Sequence, residues 1–272
     1  MRSIRSVLRL SLALLVPAAS VLVAAPAQAV EVRYVALGDS FSSGLGTRDY
    51  IPESGDCRRS TKAYPALWAR NNGVTSFEFV ACSGATANDV RTGQLNALNS
   101  ATGLVTVSVG GTDAGFTETM TTCQIGSDVQ CNRAVDNSEQ FIRNELPSRL
   151  DTVYAAIRER APAARVVVVG YPRLFEMGPC NIFGAISEAR RTRLNEVADA
   201  LAGVVGGRAA AAGFDFLDAR ARFAGHGVCS QNEWINRLSW PVNESYHPNL
   251  DGHANGYLPE LTDKTRAATT AR

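Results

Sequence analysis

Long apolar runs are nearly absent from these 272 residues: beyond residue 25 no stretch approaches the roughly 20 apolar residues that cross a bilayer, which excludes a transmembrane segment. Glycine and proline together supply 34 residues, about 12 %, too few for collagen-like or disordered classes. Excess charge is missing too, with 27 basic against 26 acidic side chains, and nothing recommends nucleic acid as a partner. The sequence has no Cys-x-x-Cys pair, and its three histidines lie far from the first four cysteines, so no metal site is expected. Repeats, linkers and low-complexity segments are also lacking. What is present is an ordinary globular composition, 45 % hydrophobic and 19 % charged, long enough for one large α/β domain.

Arg2, Arg5 and Arg9 precede an apolar run from Leu10 to about Ala25, and Ala27-Gln28-Ala29 then offers an Ala-x-Ala cleavage signal. Residues 1–29 therefore read as a secretory signal peptide, leaving residues 30–272 as the mature chain. Cleavage removes three arginines and no acid, for a formal charge of −2. All six cysteines, Cys57, Cys82, Cys123, Cys131, Cys180 and Cys229, lie in the exported part, so an oxidising, extracellular setting and three disulfides are expected. Six cysteines allow fifteen connectivities. Pairing neighbours in order would close separations of 25, 8 and 49 residues, worth roughly 3.5, 2.5 and 4 kcal/mol in chain entropy at the upper end.

Short β-branched runs at 32–37, 77–81, 104–109, 165–169 and 214–217 are mostly apolar throughout, as strands buried on both faces require. Between them helical patterns cover 63–71, 86–98, 139–160 with a break at Pro147, and 187–212, and a last helix covers 251–268. This alternation predicts one three-layer α/β/α domain around a central parallel sheet of about five strands.

Such sheets bind ligands at the carboxyl ends of their strands. There the sequence places Gly38-Asp39-Ser40, Cys82-Ser83-Gly84 and Gly110-Gly111-Thr112-Asp113. A serine nucleophile needs a base, a group that orients the base, and donors aimed at the oxyanion. The Gly-x-Ser-x-Gly elbow is absent, but Ser40 follows a strand directly, where Gly38 permits a tight turn and a following helix would aim N–H groups at an anion. Among the histidines, His247 is best placed as base, because Pro248 keeps it out of the final helix. His253 reads as a partly buried helix residue satisfied by hydrogen bonds, and His226, between two glycines, as loop.

These blocks resemble the SGNH, or GDS(L)-type, hydrolase superfamily, over most of residues 31–260. The family's four blocks fall in order on Gly38-Asp39-Ser40, Gly84, Gly110 to Asp113, and Glu244 to His247. Within it the chain is similar to secreted streptomycete lipases, most of all the phospholipase A1 type. The resemblance implies an SGNH/flavodoxin-like fold, the disulfides 57–82, 123–131 and 180–229, ester hydrolysis without a cofactor, and an oxyanion hole of Ser40, Gly84 and Thr112. Thr112 stands where the family has asparagine, and a lost oxyanion donor typically costs about 2.7 to 4 kcal/mol. Its hydroxyl either donates to the oxyanion or caps its own turn. Glu244 stands where the family usually has aspartate. A dyad of Ser40 and His247, with the Ser245 main-chain carbonyl orienting the histidine, is expected, with a Glu244 carboxylate triad as the alternative.

Phe116, Met120, Leu174, Phe175, Met177, Ile182 and Phe183 fall on expected long loops after the third and fourth strands, and Trp234, Leu238 and Trp240 precede the histidine. Together they favour a long acyl chain, and a basic cluster of Arg58, Arg59 and Lys62 could meet anionic head groups. The expected protein is a secreted monomer that releases fatty acid from phospholipid at a lipid interface. The alternatives are a lipase or carboxylesterase on other acyl esters, and a lipid- or carbohydrate-binding protein without turnover.

Overall fold

In the computed structural model residues 32–266 are described, and the expected signal peptide lies outside them. Five strands form one sheet: β1 Arg33–Gly38, β2 Phe77–Phe79, β3 Thr102–Ser108, β4 Arg165–Val169 and β5 Asp215–Leu217. All neighbours are parallel, in the order β2-β1-β3-β4-β5. Burial on both sides accounts for the unbroken apolar runs, since Val166 to Val169 and Tyr34 to Leu37 are all removed from water. The direction of winding reverses between β1 and β3, so their carboxyl ends, where Gly38 pairs with Ser108, mark the switch point at which such sheets bind ligands.

The helices are α1 Ser40–Ser43, α2 Tyr64–Asn71, α3 Ala87–Asp89, α4 Phe116–Ile125, α5 Asp128–Asn144, α6 Leu146–Arg160, α7 Glu188–Ala211, α8 Ala219–Phe223 and α9 Leu258–Arg266. α2 packs with α9 in one layer, and α5, α6 and α7 pack together in the other. Pro147 does separate two helices, because it sits in the first turn of α6, where its missing N–H costs nothing. Ser187 caps α7 through its side chain, as its sequence position suggests.

Several expectations are corrected. The segment after β3 is helical from Phe116, and the next helix begins at Asp128, capped by a Ser127–Gln130 box, rather than at Glu139. The single helix expected over 86–98 breaks into α3, a π turn at Val90–Gln94 and a 3-10 turn at Leu95–Ala97. The final helix opens as a π turn, Gly252–Tyr257, before α9. The disulfides are Cys57–Cys82, Cys123–Cys131 and Cys180–Cys229.

Candidate active site

Gly38 ends β1 at φ +128°, and a Cβ there would lie 2.6 Å from the Ser108 carbonyl oxygen. Only glycine lets β1 and β3 approach this closely while the chain turns. Both backbone groups of Gly38 are held by the buried Gln94, which accepts from its N–H at 2.7 Å and donates to its C=O at 2.9 Å. Asp39 then caps α1 by accepting from the Phe41 N–H at 3.0 Å. Ser40 is the first residue of that helix, where N–H groups have no intrahelical partner.

His247 comes from the loop before the π turn. Its Nε2 lies 2.8 Å from Ser40 Oγ, and its Nδ1 lies 3.0 Å from the Ser245 carbonyl. A carbonyl can only accept, so Nδ1 carries the hydrogen and Nε2 presents its lone pair to the serine hydroxyl. The Glu244 carboxylate turns elsewhere, accepting from Tyr50 Oη at 2.6 Å and Arg48 Nε at 3.1 Å. Burial against the rings of Phe41 and Phe116, 5.1 and 5.4 Å away, pushes His247 down to about 4, against the bond to Ser245. The imidazole is therefore a free base at neutral pH.

Thr112 and Gly84 line one cleft together with Ser40 and His247. Gly84 sits at φ +81°. Within the turn after β3, the Gly115 N–H bonds to the main-chain carbonyl of Thr112. Asp113, in the same turn, ties it to the start of α3 by accepting from the Ala87 N–H at 2.8 Å. The cleft holds about 570 Å³ between α4 and the loop carrying Leu238 and Val242. Behind Ser40 a smaller cavity of about 70 Å³ runs between α4, α5 and α7, past Ile142, Leu194 and Leu201.

The expected apolar residues divide. Phe116 and Met120 line both spaces, Leu238 the cleft and Leu174 the inner cavity. Trp234 is buried against Phe223 and stacked on His226, so neither it nor His226 reaches the cleft. Met177, Phe183 and Trp240 stand in solvent. In the basic cluster, Arg58 lies over the Tyr50 ring and Arg59 donates to the Ala81 carbonyl. His253 is wholly rather than partly buried. Its Nδ1 accepts from the Tyr64 N–H, and its Nε2 has no partner among the described residues.

Sequence reasoning missed the residues that hold the site from behind. A chain of hydroxyls runs from Tyr64 through Ser42 and Ser108 to the buried carboxylate of Asp39. Tyr171 donates to the other oxygen of Asp39 and accepts from the Gly111 N–H at 3.1 Å, joining the turn of Ser40 to that of Thr112. Burial raises Asp39 to about 6 despite these donors. Asn236 donates to the Gly46 and Glu244 carbonyls and exchanges backbone bonds with Tyr246 and His247. Among the described residues no group of histidine, cysteine, aspartate or glutamate is placed to hold a metal ion.

A hydroxyl aligned with a neutral imidazole at the switch point of a doubly wound sheet is the frame of an acyl hydrolase. Residues 36–254 match the GDSL-like Lipase/Acylhydrolase family, and the chain belongs to it. It is 48 % identical over 266 residues to Lipase 1 of Streptomyces coelicolor, covering 96 % of this chain and 98 % of that protein. The fold matches an extracellular lipase of Streptomyces rimosus with a TM-score of 0.83 and 47 % identity, over 85 % of this chain and 99 % of the other. Phospholipase A1 of Streptomyces albidoflavus matches equally, at 0.83 and 47 %, over 85 % and 98 %. The protein is accordingly a carboxylic ester hydrolase. No helix among the described residues is long and apolar enough to cross a membrane.

Proposed function

We propose that the protein is a secreted, monomeric phospholipase A1 that works through an acyl-enzyme on Ser40. The observation that carries this reading is the hydrogen-bonded line from the Ser245 carbonyl through His247 to Ser40 Oγ, opening on a largely apolar cleft. Ser40 Oγ attacks the ester carbonyl while His247 Nε2 takes its proton. The N–H groups of Ser40 and Gly84 and the Thr112 hydroxyl hold the oxyanion. Collapse expels the alcohol, which receives that proton, and a water activated by His247 then releases the fatty acid. Export rests on residues 1–29, read as a signal peptide cleaved after Ala29 to leave a catalytic domain over 30–272. It is supported by the extracellular relative from S. rimosus. The phospholipid substrate is supported by the S. albidoflavus relative and by the size of the cleft.

The test is phosphatidylcholine carrying different fatty acids at its two glycerol positions, given to the protein and to its Ser40→Ala variant. Release from the first position, lost in the variant, is the expected result. Release of neither acid, with activity kept on a dissolved short-chain ester, would overturn the substrate while leaving the acyl-enzyme.

A further inference from the structure

Nine large apolar residues are exposed among those described, and five of them, Ile125, Phe183, Leu238, Trp240 and Val242, lie on the chain segments that border the cleft above Ser40. Ile125, Leu238 and Val242 line the opening. Phe183 and Trp240 stand outside it, the first fully exposed and the second 83 % exposed. The three segments involved form one rim. Gln124, at the end of α4, donates from Nε2 to the Gly184 carbonyl at 2.8 Å, and Gly184 packs beside Leu238, whose Cδ2 would lie 3.5 Å from a Cβ at that glycine. The Tyr246 hydroxyl donates to Gln124 from the histidine loop, and the Ser239 N–H donates to Ser245 Oγ at 3.0 Å.

Apolar side chains concentrated at one opening mark an interaction surface rather than the scatter of single residues found on any protein. The segments 182–184 and 238–243 carry no charged side chain, which favours an uncharged or zwitterionic surface over an acidic one. The rim is continuous with the cleft, and tryptophan and phenylalanine suit the boundary between head groups and acyl chains. We infer that this rim seats the protein on a lipid surface, with Phe183 and Trp240 inserted as anchors and the mouth of the cleft facing the lipid. The inference rests on the ester-hydrolase reading for what the cleft then does, but the seating itself requires no turnover.

The experiment uses the Ser40→Ala protein and sucrose-loaded phosphatidylcholine vesicles, with partition read by sedimentation. Changing Phe183 and Trp240 to serine in that background is expected to lower partition by about tenfold or more, from the apolar area each aromatic buries. Both changes leave kcat/KM on dissolved p-nitrophenyl acetate unaltered in the Ser40 protein. Unchanged partition, no partition of the parent at millimolar lipid, or an equal loss on the dissolved ester would each overturn the inference. If partition follows the two aromatics while no ester is cleaved by the Ser40 protein, the seating stands and the hydrolase reading falls.

Discussion

His247 and Glu244 are three residues apart, yet the fold separates their duties. The imidazole is oriented by a neutral carbonyl, and the carboxylate serves Tyr50 and Arg48. Glu244→Gln is therefore expected to keep kcat within about threefold, whereas removing the carboxylate of a true triad costs about ten-thousandfold. A fall of several hundredfold in steady-state assays, with the fold intact, would place Glu244 behind the histidine after all. The pH profile belongs to this scale too. Burial holds His247 down to about 4, so kcat/KM on a dissolved ester should be flat above about pH 5 and fall only as the ring takes a proton near 4. An acid limb near 6 would instead assign control to Asp39, which burial raises to about that value. Stability responds in opposite directions at these groups. The depressed His247 contributes stability above 6.5 that is lost as pH falls towards 4, while Asp39 contributes below 3.8 and loses its contribution as pH rises through 6.

Elements differ in how far the sequence alone places them. The strands were legible because a strand buried on both faces leaves an unbroken β-branched run, and the break before α6 because Pro147 is tolerated in a first turn. α4 was not, since its threonine-rich stretch lacks a side-chain cap and is held by packing on α5 and the Cys123–Cys131 bond. The helix expected over 86–98 is interrupted at the turn where Gln94 faces inward to grip Gly38. Ser40 and His247 announce themselves by neighbouring residues, whereas Gln94, Tyr171 and Asn236 act through partners distant in sequence and belong to no local pattern. The loop at Gly46 carries a further expectation. At φ +101°, a Cβ there would meet His247 Cβ at 3.0 Å and Asn236 Nδ2 at 2.8 Å. Gly46→Ala should displace the imidazole and lower kcat by about tenfold or more with little change in KM, because small misplacements of a catalytic group are costly. Unaltered kcat with a lowered Tm would make Gly46 a purely structural residue.

At the scale of the whole molecule, every cysteine lies in a segment that follows the carboxyl end of a strand, and none lies in a strand of the sheet itself. Cys57–Cys82 stands next to Ser83 and Gly84, Cys123–Cys131 ties α4 to α5, and Cys180–Cys229 fastens the loop bearing Phe183. Gentle reduction in native buffer should therefore abolish ester hydrolysis while far-UV circular dichroism persists. Simultaneous loss of both signals would mean that the bonds support the core as well. The consequence is one of timing. If the two signals separate in this way, a chain with free thiols assembles its sheet first and completes the edge that meets the ester only on oxidation, so the oxidant sets when the protein becomes an enzyme.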